Sequence, residues 1–290
     1  LFDQVLDMAR LGIIPANVVV RSISGVVFIL AMLACLMFNK FLFAGLIIFI
    51  MSVMLLEFYH ITMGNSYTFS KVLAIIAAIF LFGLLFATAS YHIPIRFVAF
   101  AMVPIFIVMI NSLYVKDKDE YGKFSNIYTG LLYIAVPIAL SNLIAFDKAG
   151  NFSGNLLLCF FIIIWCSDVG AFAFGISLGK IFPQKLFPSV SPKKTWIGLI
   201  GGLVSSVLAA FALYEFGILK FPLIHCLILS LIMSVTGVYG DLFESQWKRV
   251  YGVKDSGKII PGHGGFLDRF DSTLMAMPFG AIYLAIFDLL

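Results

Sequence analysis

Nine apolar runs, each near 20 residues, dominate this sequence and fix what the chain can become. A run of about 20 apolar residues crosses roughly 30 Å of hydrocarbon as an α-helix. Lipid offers no water to backbone amides and carbonyls, so each run must close its hydrogen bonds internally. The runs cover roughly residues 19–38, 41–61, 72–89, 97–114, 127–146, 156–178, 196–216, 221–239 and 272–290. The expected fold is an all-α polytopic membrane protein of about nine transmembrane helices, one integral membrane domain over 1–290. Spans within 19–146 read as scaffold, and 156–290 as catalytic spans with their loops. Pro104, Pro137 and Pro278 fall inside runs and predict kinks.

Composition closes off the soluble alternative. Hydrophobic residues make up 62% of the chain and charged ones 12%, about half the usual charged share. With the N-terminus inside, fifteen Lys and Arg fall on one side of the membrane and four on the other. That bias predicts a cytoplasmic N-terminus and a C-terminus outside. No basic soluble domain exists to present a nucleic-acid surface, so no nucleic-acid partner is expected. Cys35, Cys159, Cys166 and Cys226 lie in apolar runs without C-x-x-C spacing, which predicts buried free thiols. Phe2, Val5, Leu6, Ala9 and Ile13 recur at helical spacing before the first span, the pattern of a segment lying along the membrane surface. No signal-peptide pattern is read there.

Polar residues concentrate in two connections, 179–195 and 240–271. The second opens with Asp241, Glu244, Ser245 and Lys248, spaced to share one helical face. It closes with Asp268 and Asp271, three apart at the start of the last span, where a helix N-terminus favours negative charge. Clustered carboxylates repel unless something positive lies between them. A hard divalent cation suits them, since Mg²⁺ takes one or two carboxylates plus substrate phosphates. Lys248, Arg249, Lys254, Lys258 and Arg269 supply charge for phosphate, and the turn around His263 brings glycine amides close to it. Such parts serve phosphoryl or nucleotidyl transfer. Any single Lys or Gly here reads equally as solvated loop; the whole cluster does not.

Gly252 to Lys258 matches the first seven positions of a P-loop, but Ile259 stands where Ser or Thr must bind Mg²⁺. In the first connection, Ser191-Pro192-Lys193-Lys194-Thr195 precedes a helix start and reads as an anion pocket or as positive-inside anchoring. Asp168 lies within an apolar run, where a carboxylate is costly and marks a functional site or a buried ion pair. Glu57, near the end of the second span, reads equally as functional or interfacial.

The stretch S-Q-W-K-R-V-Y-G-V-K-D-S-G-K-I-I-P-G-H-G-G-F-L-D-R-F-D over 245–271 resembles the CDP-diacylglycerol synthase family. S-P-K-K-T at 191–195, S-D-V-G-A-F around Asp168 and G-D-L-F-E-S from Gly240 extend the resemblance over roughly the C-terminal half. One departure is Ile197, where the family usually carries Glu. The resemblance implies joining of CTP to phosphatidate with release of pyrophosphate, dependent on Mg²⁺. It also implies a multi-pass protein of the bacterial inner membrane, a site facing the cytoplasm, and a homodimer. Carried onto this sequence, Asp241, Asp268 and Asp271 form the catalytic metal centre, with Asp168 a further ligand or second-cation site. Ser191, Lys193, Lys194, Glu244, Ser245, Lys248, Arg249, Lys254, His263 and Arg269 are expected to hold the substrates. A CDP-alcohol phosphotransferase would carry D-G-x-x-A-R, which is absent. A transporter would show related halves with interrupted helices at mid-membrane, whereas the polar residues here gather at one face.

Overall fold

Backbone polar groups that cannot reach water leave a membrane chain few options, and the described residues are 76% helical. The structure, a computed structural model, describes residues 16–114, 121–260, 262 and 264–290, with side chains from residue 24 onward. The surface segment expected before the first span lies outside the described residues.

Nine helices follow in chain order among the described residues. They are α1 (Ala16–Phe38), α2 (Lys40–Met63), α3 (Thr68–Tyr91), α4 (Ile95–Ser112), α5 (Tyr121–Ala145) and α6 (Asn155–Ser177). After a short hairpin come α7 (Trp196–Glu215), α8 (Leu223–Val250) and α9 (Leu267–Ile286). Seven of these, α2 to α8, are long and apolar enough to cross a membrane. The apolar part of α1 with described side chains is Ser24–Phe38. In α9 the charged Asp268, Arg269 and Asp271 occupy the beginning, and the helix stops at Ile286 before Asp288 turns left-handed with φ 52°. The last helix is therefore displaced toward the loop that precedes it, beginning and ending about four or five residues earlier than the apolar run predicts.

Each expected proline position coincides with an irregularity or lies within a helix. α4 begins as a 3₁₀ turn, Ile95–Ala101, and Pro104 enters where it becomes α-helical. In α5 a π-helical stretch, Leu131–Ala135, immediately precedes Pro137. The wider turn accommodates a ring that would otherwise meet the carbonyl four residues back. Pro278 lies inside α9.

The connection after α6 corrects the purely helical expectation. β1 (Lys185–Phe187) and β2 (Ser191–Thr195) form an antiparallel hairpin that pairs Lys185 with Thr195 and Phe187 with Ser191. β2 runs directly into α7, whose N-cap is Thr195; its hydroxyl accepts from the Gly198 amide at 3.2 Å.

Helix packing sets the site. α6 and α7 cross so closely that a Cβ added at Gly201 would lie 2.4 Å from Phe174 Cβ and 2.9 Å from the Gly170 carbonyl. Small residues permit such approach in membranes, where apolar side chains gain little by leaving lipid. α8 packs against α7 and α9, and α9 reaches back onto α5. Tyr59, Phe43, Phe82, Phe124, Phe160 and Phe270 are fully buried among the helices. Phe106, Ile110, Leu208 and Ile282 are more than half exposed and face outward, as lipid-contacting residues do. All four cysteines are free; Cys35, Cys159 and Cys226 are buried and Cys166 is partly so.

Candidate active site

A cavity of about 570 Å³ opens among α6, the hairpin, α8 and α9. Carboxylates line it from three helices: Asp168 from α6, Asp241 from α8, and Asp268 and Asp271 from α9. Lys193, Lys194, Lys248 and Arg269 supply positive charge, and Phe172, Ile176, Leu186 and Leu199 give it an apolar flank. Residues that sequence reasoning drew from three separate segments thus meet in one space.

Local structure explains how they converge. α8 continues past Tyr239 to Val250, which keeps Asp241, Glu244, Ser245 and Lys248 on one helical face. Lys194 Nζ pairs with Asp241 Oδ2 at 2.7 Å, tying the hairpin to α8. Phe187 meets Tyr239 edge-on at 6.5 Å, and Arg249 Nε donates to the Val190 carbonyl at 3.5 Å. Ser245 Oγ donates to Asp241 Oδ1 at 3.2 Å. Asp271 accepts from the Ser272 amide at 2.7 Å and feels the charges of Asp241, Glu244 and Asp168. Asp168 is accessible from the cavity, within electrostatic reach of Asp241, Lys194 and Arg269.

Asp268 differs from its neighbours. Its Oδ1 accepts from Lys248 Nζ at 2.8 Å. Its Oδ2 accepts from the Ser256 amide at 2.8 Å, the Ser256 hydroxyl at 2.9 Å and the Gly265 amide at 2.9 Å. Lys248 also pairs with buried Glu244. Asp268 therefore borders the cavity while holding together α8, α9 and the loop between them. Glu244 sits behind Lys248, away from the cavity. Ser191, Arg249 and Lys254 stand around the hairpin and the loop without lining it, as does Ile197, and His263 lies outside the described residues.

A profile of the cytidylyltransferase family matches residues 19–287, nearly the whole chain. The chain belongs to that family. Among similar proteins, "Phosphatidate cytidylyltransferase" of Bacillus subtilis (strain 168) is 41% identical over 182 residues, 62% of this chain. The proteins of that name in Staphylococcus aureus (strain COL) and Staphylococcus saprophyticus are 46% and 44% identical over 124 residues, 43% of this chain. The chain spans 63% of the length of the first relative and 46% of the other two.

For a member of this family, the donor set is compatible with a divalent cation held jointly with substrate. Among the described residues no three Asp, Glu, His or Cys side chains stand close enough to cage a metal unaided. Asp168, Asp241 and Asp271 nonetheless share one cavity and repel one another, with Lys194 the direct ion-pair partner of Asp241. Mg²⁺ keeps several waters and completes its shell with phosphate oxygens, so one or two of these carboxylates suffice.

One participant escaped the sequence reading, and another was left open by it. Asp255 lines the cavity from the loop, hidden among ordinary loop charges. Glu57, from α2, is buried at 6% exposure beneath that loop. Its Oε1 accepts from the Phe266 amide at 3.1 Å, and its Oε2 from the Leu267 amide at 2.9 Å and the Ser256 hydroxyl at 3.2 Å. Its place near the end of an apolar span left it even between a functional and an interfacial role; nothing in the sequence named its partners.

Proposed function

We propose that this protein transfers the cytidylyl group of CTP to phosphatidate, giving CDP-diacylglycerol and pyrophosphate. The observation that carries the reading is the single cavity in which Asp168, Asp241 and Asp271 face Lys193, Lys194 and Arg269 beside an apolar flank. Family membership and the name its relatives carry support the same substrates. A phosphate oxygen of the lipid attacks the α-phosphorus of CTP. One P–O bond forms there, and the bond to the β-phosphate oxygen breaks as pyrophosphate leaves. The attacking oxygen is already ionised at neutral pH, so the reaction needs charge neutralisation and in-line positioning more than a base.

Lys193, Lys194 and Arg269 neutralise the phosphates, and Lys248 holds Asp268 at the cavity edge. Ser191, Ser245, Arg249 and Lys254 steady the hairpin and loop around the triphosphate, with Glu244 supporting Lys248. Asp241, Asp271 and Asp168 would hold Mg²⁺, with room for a second cation at Asp168. Bound there, the ion supplies charge stabilisation for the α-phosphoryl oxygens and the leaving group. Spans within 19–146 act as scaffold, and 156–290 carry the substrate-facing groups. The protein works in the bacterial inner membrane as a homodimer with this cavity toward the cytoplasm.

The test is purified protein in detergent with radiolabelled CTP, phosphatidate and Mg²⁺. Labelled CDP-diacylglycerol, lost on chelation, is the expected product. A preference for a polyprenyl or ether-lipid phosphate would redirect the substrate assignment, and no nucleotidyl transfer to any lipid phosphate would overturn the reading.

A further inference from the structure

Two features have no part in the chemistry just described: the buried carboxylate of Glu57, and Gly257 and Gly265 in the loop that closes over it. A carboxylate under 10% exposed is costly unless hydrogen bonds compensate its burial. Glu57 meets that demand with the Phe266 and Leu267 amides, which stand at the N-terminus of α9 and have no partner within the helix. The loop passes very close above it. A Cβ at Gly257 or Gly265 would lie 2.5 Å from Glu57 Oε1, so a side chain at either position must displace the carboxylate.

The Ser256 hydroxyl lies between two carboxylates, 3.2 Å from Glu57 Oε2 and 2.9 Å from Asp268 Oδ2. Its single proton serves one of them at a time. Backbone amides carry the remaining load: two for Glu57, and two for Asp268 from Ser256 and Gly265. The pair thus gathers donors from Ser256, Gly265, Phe266 and Leu267, from the loop to the first residue of α9. Asp268 then fixes Lys248, and the same turn carries Arg269 and Asp271 into the cavity.

We propose that Glu57 is a positioning residue for the transfer reaction, setting α9 and its preceding loop so that Asp268, Arg269, Asp271 and Lys248 converge. It does not line the site cavity and acts through its neighbours. The assignment makes α2, in the scaffold half, a part of the catalytic apparatus. It rests on the proposed cytidylyl transfer.

Glu57→Gln retains the shape but turns one acceptor into a donor facing a backbone N–H; Glu57→Ala removes both acceptors. Ser256→Ala tests the shared hydroxyl without touching the α9 amides. The readouts are kcat and KM for CTP per folded molecule, with amide hydrogen exchange over 256–268 in the full protein. Displacing supporting groups of this kind typically costs 10- to 100-fold in rate. The expected result is a kcat fall of about that size in Glu57→Gln, larger in Glu57→Ala and smaller in Ser256→Ala. KM should change less, and exchange should quicken within 256–268. Asn142→Ala, a buried change far from the cavity, supplies the comparison for destabilisation alone.

Glu57→Gln and Ser256→Ala variants with unchanged kcat per folded molecule would overturn the proposal. So would unaltered exchange at 256–268, or losses matching those of Asn142→Ala at equal loss of stability. Wild-type protein inactive on CTP and phosphatidate would instead remove the parent reading, while the exchange result still decides whether Glu57 orders the loop. If Glu57→Ala does not fold, the Gln and Ser256 variants decide alone.

Discussion

Asp268 and Asp271 sit three residues apart on one helix, yet their surroundings give them different work. Asp271 has one hydrogen bond from the Ser272 amide and otherwise faces like charges. Asp271→Asn should therefore remove a charge needed in the cavity and leave the fold intact, because it relieves repulsion. The expected loss of turnover is on the order of 10³-fold, with an unchanged melting temperature in detergent. Asp268→Asn is a harsher change. Oδ2 accepts three donors and Oδ1 accepts Lys248, so either orientation of the new amide sets a donor against donors. Turnover should fall comparably, and limited proteolysis between Tyr251 and Phe266 should quicken. Equal protease resistance in the two variants would count against this division of labour. Asp168 makes no salt bridge among the described residues, which favours a site role over a structural ion pair. Asp168→Asn should keep its melting temperature while losing activity or needing more Mg²⁺. Early melting with activity retained per folded molecule would point the other way, to a broken buried pair. The carboxylates on α8 and α9 were legible because helical spacing places them on shared faces. The partners of Glu57 were not, since its contacts lie some two hundred residues away in sequence.

At the scale of elements, the nine helices follow the apolar runs because hydrocarbon leaves the backbone no alternative, and that demand is written in hydropathy alone. The ends are set by other forces. α8 outlasts its apolar run because Asp241 and Lys248 find partners across the site, in Lys194 and Asp268, and Glu244 pairs with Lys248 along the helix, so the helix continues into polar surroundings. The hairpin was invisible because Ser191-Pro192-Lys193-Lys194-Thr195 has no alternating apolar face; pairing with β1 and the Thr195 cap hold it instead. The α6–α7 crossing holds Asp168 and the Lys193–Lys194 pair at a fixed separation, and Gly201 sets how near the helices come. Gly201→Leu must push Phe174 and the Gly170 carbonyl away. Overpacking of this kind costs about 1–3 kcal/mol, so a lowered melting temperature is expected together with reduced activity per folded molecule. Gly83→Leu has nothing within 4 Å and should match the wild-type protein in both measurements. Equal behaviour of the two variants would mean that the crossing does not govern the site.

Over the whole molecule, the polar machinery gathers at one end of the bundle. The hairpin, the extension of α8, the loop from Tyr251 to Phe266, the start of α9 and Glu57 all meet there. The turn between α5 and α6 lies with the end of α9, where Lys148 pairs with Asp288 at 2.9 Å. The helix order puts that pair at the opposite end from the cavity, since α9 begins at one and finishes at the other. The fifteen-to-four distribution of Lys and Arg is the sequence argument for the proposed cytoplasmic placing of the cavity end. Part of that bias consists of residues with work at the cavity, Lys193, Lys194, Lys248 and Arg269 among them, so charge counting alone does not separate anchoring from function. Labelling does separate them. Asn151 and Lys258 are both exposed, one in the α5–α6 turn and one in the loop before α9. In intact cells, a membrane-impermeant maleimide should label Asn151→Cys and leave Lys258→Cys unmodified; inverted vesicles should show the reverse. A water-soluble nucleotide triphosphate made inside the cell can reach only a cavity on that side. Labelling of Lys258→Cys from outside would therefore turn the molecule over and count against CTP as the proposed substrate.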